Sequence, residues 1–97
     1  MIFIPMFNFT KCPGGRHIED GPGSAEEFLN TVLFPILNHN KDVVIVYMDD
    51  VYEYSSCFLH ELVTNINPEY IKRIQFISKR KSLINELKTY NRDITTN

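Results

Sequence analysis

The sequence predicts a small α/β domain in which strands and helices alternate along the chain. Three apolar segments of strand length, at residues 2–9, 43–48 and 74–77, are each followed by apolar residues at helical spacing. The predicted order is therefore β-α-β-α-β-α, with right-handed crossovers and helices packed on a mostly parallel or mixed sheet. A chain of 97 residues can bury one core. Residues 1–97 are accordingly predicted to form a single domain.

Composition narrows the class of function. The hydrophobic share of 43% and charged share of 23% are typical of a folded globule. Ten basic and twelve acidic residues give a formal charge of −2, so no global attraction to nucleic acid is expected. Cys12 and Cys57 lack CxxC spacing, which favours a reducing compartment. We expect a cytoplasmic protein that contacts neither nucleic acid nor membrane and that uses no cofactor.

Two strands differ in their expected positions. The segment from Ile2 to Phe9 is rich in aromatic and β-branched residues, but Pro5 removes a backbone donor, which indicates an edge strand or a bulge. Oligomerisation through this exposed edge is one interpretation. The continuous apolar run at 43–48 predicts a central strand that is covered on both faces.

A shaped loop and a capped helix follow the first strand. The segment 11–23 contains all four glycines of the chain, and Ser24 and Glu27 then have capping-box spacing. Pro35 predicts a kink or an early stop near Phe34. The apolar stripe that defines this helix consists of Ala25, Phe28, Leu29, Val32, Leu33, Ile36 and Leu37.

Two more amphipathic helices are predicted downstream. The first carries Phe58, Leu59, Leu62, Val63 and Ile66, and Pro68 helps to end it. The second carries Leu83, Ile84, Leu87 and Tyr90. The polar residues 91–97 are predicted to fray.

The junction at residues 54–59 is the main candidate site. Ser55 and Ser56 stand directly before an apolar helical stripe, where hydroxyl oxygens accept the free N–H groups of a first helical turn. The same place lies at the positive end of the helix dipole, where a phosphoryl group is stabilised. Both interpretations are compatible.

Motifs on both sides of this junction resemble those of a known family. Together with Asp49, Glu61, Gly15-Arg16, Asp20-Gly21-Pro22 and residues 24–28, it resembles the STAS-like domain family of unknown function over roughly residues 12–66. That family is related to the anti-sigma factor antagonists, whose regulatory serine begins a helix and is phosphorylated by a histidine-kinase-fold ATPase. The resemblance implies a STAS-like fold, with a mixed sheet, and a non-catalytic regulatory module. The partner-binding residues that it implies are Arg16, Asp20, Tyr54, Ser55, Ser56, Cys57, Phe58 and Glu61.

Two positions depart from the antagonist pattern. With Phe58 and Leu59 kept in register, Cys57 occupies the position of the phosphorylated serine, and Ser55 replaces an aspartate. Ser55 and Ser56 then become the candidate phosphoacceptors. Constitutive docking of a partner, without modification, is the alternative.

A small ligand-binding or zinc-binding protein is the competing interpretation. Cys12, His17, Cys57 and His60 would supply two thiols and two imidazoles for tetrahedral zinc. The glycine-rich loop with Arg16 could instead bind an anion, or Arg16 could pair with Asp20.

Two other groups invite chemical interpretations. Asp49 and Asp50 follow the central strand and invite a magnesium interpretation, although adjacent aspartates in a turn are commoner. Cys57 and His60 have nucleophile-and-base spacing, but the sequence shows no third group to orient them.

Overall fold

The structure, a computed structural model, describes residues 1–96. Four strands are formed: β1 (Ile2–Pro5), β2 (Val44–Tyr47), β3 (Ile74–Ile77) and β4 (Thr95–Thr96). The α-helical segments are α1 (Met6–Phe9), α2 (Ala25–Phe28), α3 (Phe34–His39), α4 (Ser56–Thr64), α5 (Pro68–Ile71) and α6 (Lys81–Tyr90). A π-helical segment (Leu29–Leu33) joins α2 to α3, and a short 3-10 helix (Ile18–Asp20) lies in the first long loop. The α/β class predicted from the sequence is confirmed.

The strands form one sheet in the order β1-β2-β3-β4, and every neighbouring pair in residues 1–96 is parallel. Of the two predicted arrangements, the mostly parallel sheet is confirmed, and the mixed sheet that the STAS-like resemblance implies is wrong for this part of the chain. β2 lies between β1 and β3, as its apolar run predicts, and β1 lies at one edge, as Pro5 predicts.

The core lies on one face of the sheet. Because each strand adds beside the preceding one, right-handed crossovers place α2 to α6 on the same face. The buried residues alternate along each strand and join the apolar sides of α2, α4 and α6 in one cluster. The intervening residues Ile45 and Tyr47 of β2 are only half-buried. The prediction that this strand is covered on both faces is therefore wrong.

The first strand is shorter than predicted. β1 ends at Pro5, and the chain turns at once into α1, which buries Met6 completely. Apolar residues continue to Phe9, but helical geometry lets Phe9 pack against Phe28 with ring centroids 5.3 Å apart. An apolar run without clear periodicity cannot distinguish these two conformations.

The first long helix does not stop early at Pro35. The helical path continues through residues 25–39, and the turn just before Pro35 is π-helical. The N–H of Phe34 bonds to the carbonyl of Leu29, a five-residue step that widens the helix. Local widening of this kind is one way in which a helix accommodates a proline ring and its missing donor.

The C-terminal segment is ordered into the sheet. Ile94 is 6% exposed, and β4 pairs with β3 through Gln75 and Phe76. The predicted fraying of residues 91–97 is thus wrong up to Thr96, while Asn97 lies outside the described residues. Two residues are too few to give a strand pattern in the sequence.

The later helices agree with their apolar stripes. α4 and α6 bury Phe58, Leu59, Leu62 and Val63, and Leu83, Ile84 and Leu87, respectively. Pro68 begins α5 as its first residue, with Asn67 as its cap. None of the helices in residues 1–96 combines the length and apolar character that crossing a bilayer demands.

Candidate functional site

The glycine-rich loop after α1 closes on itself. The N–H of Gly14 donates to the carbonyl of Gly23 at 2.8 Å, and a Cβ atom on Gly14 would lie 2.7 Å from the carbonyl oxygen of Pro22. Gly23 has φ +78°, in the left-handed region that favours glycine. The Asp20 carboxylate accepts the N–H of His17 at 2.9 Å. These contacts give the loop a fixed shape.

This loop occupies the start of α2. The carbonyls of Gly15 and Arg16 accept the N–H groups of Ala25 and Glu26 at 3.0 and 3.1 Å. The hydroxyl of buried Ser24 accepts the N–H of Glu27, as the predicted capping box requires. The Glu27 carboxylate accepts the N–H of Gly23 instead of that of Ser24, so the second half of the box does not form. The first three N–H groups of α2 therefore all have acceptors within the protein. The loop therefore does not offer them to an anion.

The start of α4 is built differently. The Ser55 hydroxyl accepts the N–H of Phe58 at 3.0 Å and donates to the carbonyl of Gly14 at 3.3 Å. Ser56 and Cys57 are exposed. Within residues 1–96, no group accepts their two backbone N–H groups. Ser55 thus caps the helix and ties it to the loop, while the next two residues face outward.

Arg16 forms the second connection between the loop and α4. Its Nη1 donates to Nδ1 of His60 at 2.9 Å and to Oε1 of Glu61 at 3.3 Å. The Glu61 side chain is only 13% exposed, and its other oxygen accepts from Asn65. Contact with Cys57, and then with Glu61, raises the pKa of the Arg16 guanidinium above its ordinary value. Arg16 therefore stays charged.

The bond from Arg16 fixes the tautomer of His60. Since a guanidinium can only donate, Nδ1 must accept, and the ring proton of neutral His60 is on Nε2. The imidazole also packs edge-on against Tyr90, with ring centroids 5.1 Å apart. In this state neither nitrogen is free to take a proton from the Cys57 thiol. The nucleophile-and-base interpretation is therefore disfavoured.

Tyr90 reaches the site from α6. Its hydroxyl donates to Glu86 at 2.8 Å, and this bond raises the pKa of Tyr90, against the opposing effect of the nearby Ser56 hydroxyl. The sequence places Tyr90 on the apolar stripe of the third helix. Nothing in the sequence signals that this stripe ends beside the start of α4.

Tyr54 and Phe58 pack against each other beneath the exposed start of α4. Phe58 is completely buried, and the Tyr54 ring packs against it at 5.3 Å. The Tyr54 hydroxyl donates to the carbonyl of Met48 at 2.7 Å, and burial raises the pKa of this phenol. Phe58 cannot touch a partner in the folded state. Its expected role in partner binding is therefore wrong, and Tyr54 contributes mainly to packing.

One other expectation about the loop is wrong. Arg16 bonds to His60 and Glu61, whereas the Asp20 carboxylate caps His17, so the proposed Arg16–Asp20 ion pair does not form. Asp20 is exposed but acts in loop closure.

The metal interpretations find no support in the geometry. Residues 1–96 contain no group of three or more His, Cys, Asp or Glu side chains placed to hold a metal ion, so Cys12, His17, Cys57 and His60 do not form a zinc site. Asp49 instead accepts the Ser78 hydroxyl and the Lys79 N–H, each at 2.6 Å. Asp50 accepts the Tyr47 hydroxyl at 3.1 Å.

The contacts between the loop and α4 bring together a group of exposed and half-buried residues, which we call the junction surface: Arg16, Ser55, Ser56, Cys57, His60 and Glu61. Comparison of the chain with protein-family models, curated proteins and solved structures gives no match. The junction surface presents a permanent cation, two backbone donors and small polar side chains. Such groups suit recognition of another molecule by hydrogen bonding.

Proposed function

We propose that the protein is a non-catalytic regulatory module that docks a protein partner through the junction surface. The observation that carries this proposal is the joining of two distant segments. Ser55 bonds to Gly14, and Arg16 bonds to His60 and Glu61, so the loop and α4 present one fixed surface.

Fixed geometry favours docking because a partner then has little ordering entropy to overcome. Ser56 and Cys57 contribute exposed side chains and two open backbone donors at the centre of this surface. Arg16 contributes a positive charge, which its bonds to His60 and Glu61 hold in place. A partner that offers acceptor groups to these donors would fit.

The resemblance to the STAS-like family suggests the class of partner, a histidine-kinase-fold ATPase. Of the two candidate phosphoacceptors, Ser56 fits better than Ser55. The Ser55 hydroxyl already makes two hydrogen bonds, whereas Ser56 is exposed at the first position of α4. A phosphate there would be favoured by the helix dipole and by the open N–H groups.

Docking can be tested with a matched pair of variants. Cys57 and Ser82 are both exposed and both occupy the second position of their helices, α4 and α6. Cys57→Lys should weaken calorimetrically measured binding to a purified kinase of this class by at least about tenfold, and Ser82→Lys should not. Equal binding by both variants would place the contact elsewhere, and absence of binding by the unmodified protein would reject this partner.

Phosphorylation is tested separately. After incubation with the kinase and ATP, peptide mass spectrometry should locate phosphate on Ser56, and Ser56→Ala should remove it. Phosphate on Ser55 would contradict the assignment to Ser56. A chain that binds but stays unmodified would leave constitutive docking as the function.

A further inference from the structure

The face of the sheet opposite the helices is open. The strand register aligns its side chains in two rows across the sheet. The first row is Phe3, Ile45, Gln75 and Thr95, and the second is Pro5, Tyr47 and Ile77. All seven are exposed or half-buried, while their neighbours along β1, β2 and β3 belong to the core or pack against it.

This open face is apolar and aromatic on one side. Phe3 is 59% exposed and stacks on Tyr47 with ring centroids 5.9 Å apart. Phe7 packs edge-on against the same tyrosine at 6.2 Å. Parallel sheets are normally covered on both faces, and a contiguous apolar surface usually marks an interaction site. The face therefore requires a cover.

We propose that a second copy of this chain covers the face, so that the two sheets pack against each other about a two-fold axis. None of the seven side chains in the two rows is charged. A copy of the same face therefore brings no like charges together at its centre. Two inner faces of this kind interdigitate when sheets stack about 10 Å apart.

The width of the face also fits a second copy. Four neighbouring strands, about 4.8 Å apart, span about 14 Å across the sheet. A single helix about 10 Å wide would leave part of this width exposed, whereas a second sheet of the same width covers it.

Sedimentation equilibrium tests the proposal and is independent of the proposed docking at the junction surface. The full chain of 11.4 kDa should show a concentration-dependent dimer of about twice that mass. Phe3→Glu and Ile45→Glu each place a charge on the open face and should raise the dimer dissociation constant at least about tenfold. Ile18→Glu is the matched control, because Ile18 is 52% exposed in the 3-10 helix.

The outcomes separate clearly. A dimer that Phe3→Glu weakens and Ile18→Glu preserves supports the proposal, with circular dichroism showing that both variants fold. A strictly monomeric wild type at high concentration overturns it. A dimer that tolerates Phe3→Glu also overturns it, because association would then use another surface. If Ile45→Glu fails to fold, the result for Phe3→Glu, which lies in the edge strand, decides whether the proposed dimer stands.

Discussion

The starts of α2 and α4 have the same kind of serine cap, but they differ in whether their remaining N–H groups have acceptors. Ser24 and Ser55 each accept the N–H group three residues later. Ser24 is buried, and the carbonyls of the glycine-rich loop occupy the other N–H groups of its helix. Ser55 is exposed, and the N–H groups of Ser56 and Cys57 have no acceptor within residues 1–96.

The difference shows how one loop can serve two helices. The loop uses its carbonyls to complete the start of α2, and it uses Gly14 and Arg16 to hold the start of α4 from the side. The first helix start is thereby part of the core. The second stays rigid while its donors remain available to a partner.

The largest expected effect on stability is found by comparing two adjacent residues at the start of α4. Phe58→Asp would place a carboxylate in the core and should cost at least about 4 kcal/mol of unfolding free energy. Cys57→Asp, one residue earlier and exposed, should change it by less than about 0.5 kcal/mol. Urea unfolding measures both. Similar losses would mean that Cys57 is not at the surface.

The two caps should differ in their contributions to stability. Ser24→Ala leaves the N–H of Glu27 without its partner in a buried setting and should cost about 1–2 kcal/mol. Ser55→Ala should cost about 0.5–1 kcal/mol because water can reach the freed N–H. Thermal unfolding of the two variants gives the comparison, and a larger loss for Ser55→Ala would contradict it.

Tyr54, just before the second cap, should make stability sensitive to alkaline pH. Burial raises the pKa of its phenol in the folded state above the ordinary value of 10.0, so folding favours the neutral form. The contribution is complete below pH 10 and is lost as pH rises above it, because only the unfolded chain then ionises. Tyr54→Phe should remove about 1 kcal/mol at neutral pH, through the lost bond to Met48, and flatten the decline above pH 10.

The control for this prediction is Tyr52→Phe. Tyr52 is 72% exposed, and its replacement should preserve the wild-type pH dependence in urea unfolding measured from pH 8 to 11. An unchanged decline in Tyr54→Phe would assign the alkaline sensitivity to other groups.

A small loss of stability is expected at Arg16. Its bridge to Glu61 is partly exposed, so Arg16→Ala should cost less unfolding free energy than Ser24→Ala. The local effect should be larger, since the variant loses one of two connections between loop and helix. Hydrogen exchange in residues 12–23 should accelerate, while exchange in the α2 core stays as in wild type. Unchanged loop exchange would show that Ser55 alone holds the two segments together.

Helical periodicity and caps were sufficient to predict much of the fold. Ser24 with Glu27, the stripe from Phe58 to Val63, and the central apolar strand all lie where the sequence indicates. These signals are local, and each is repeated over several residues. Of the two effects predicted for Pro35, the early stop is wrong, and the π-helical turn before it leaves no mark in the sequence.

The bare sheet face and the contacts of the site depend on tertiary arrangement. Ile45 and Tyr47 continue an apolar run that is typical of a doubly covered strand, and only the strand order reveals that helices cover one side. Arg16 and Glu61 were both predicted at the site, but their pairing joins positions far apart in the chain. Phe58 was assigned to partner binding through the family resemblance, although its place on the apolar stripe predicts the burial that the structure shows.

The order of the strands also has a consequence for folding. Ile2 pairs with Val44, Val44 with Ile74, and Gln75 with Thr95, so the chain segment closed by each pairing shortens toward the C-terminus. Loop-closure entropy changes by only about 0.6 kcal/mol for each doubling of length, but here it always favours the later strands. We expect β1 to be the last strand to join the sheet. The aromatic side of the open face would then be completed only in the final step of folding.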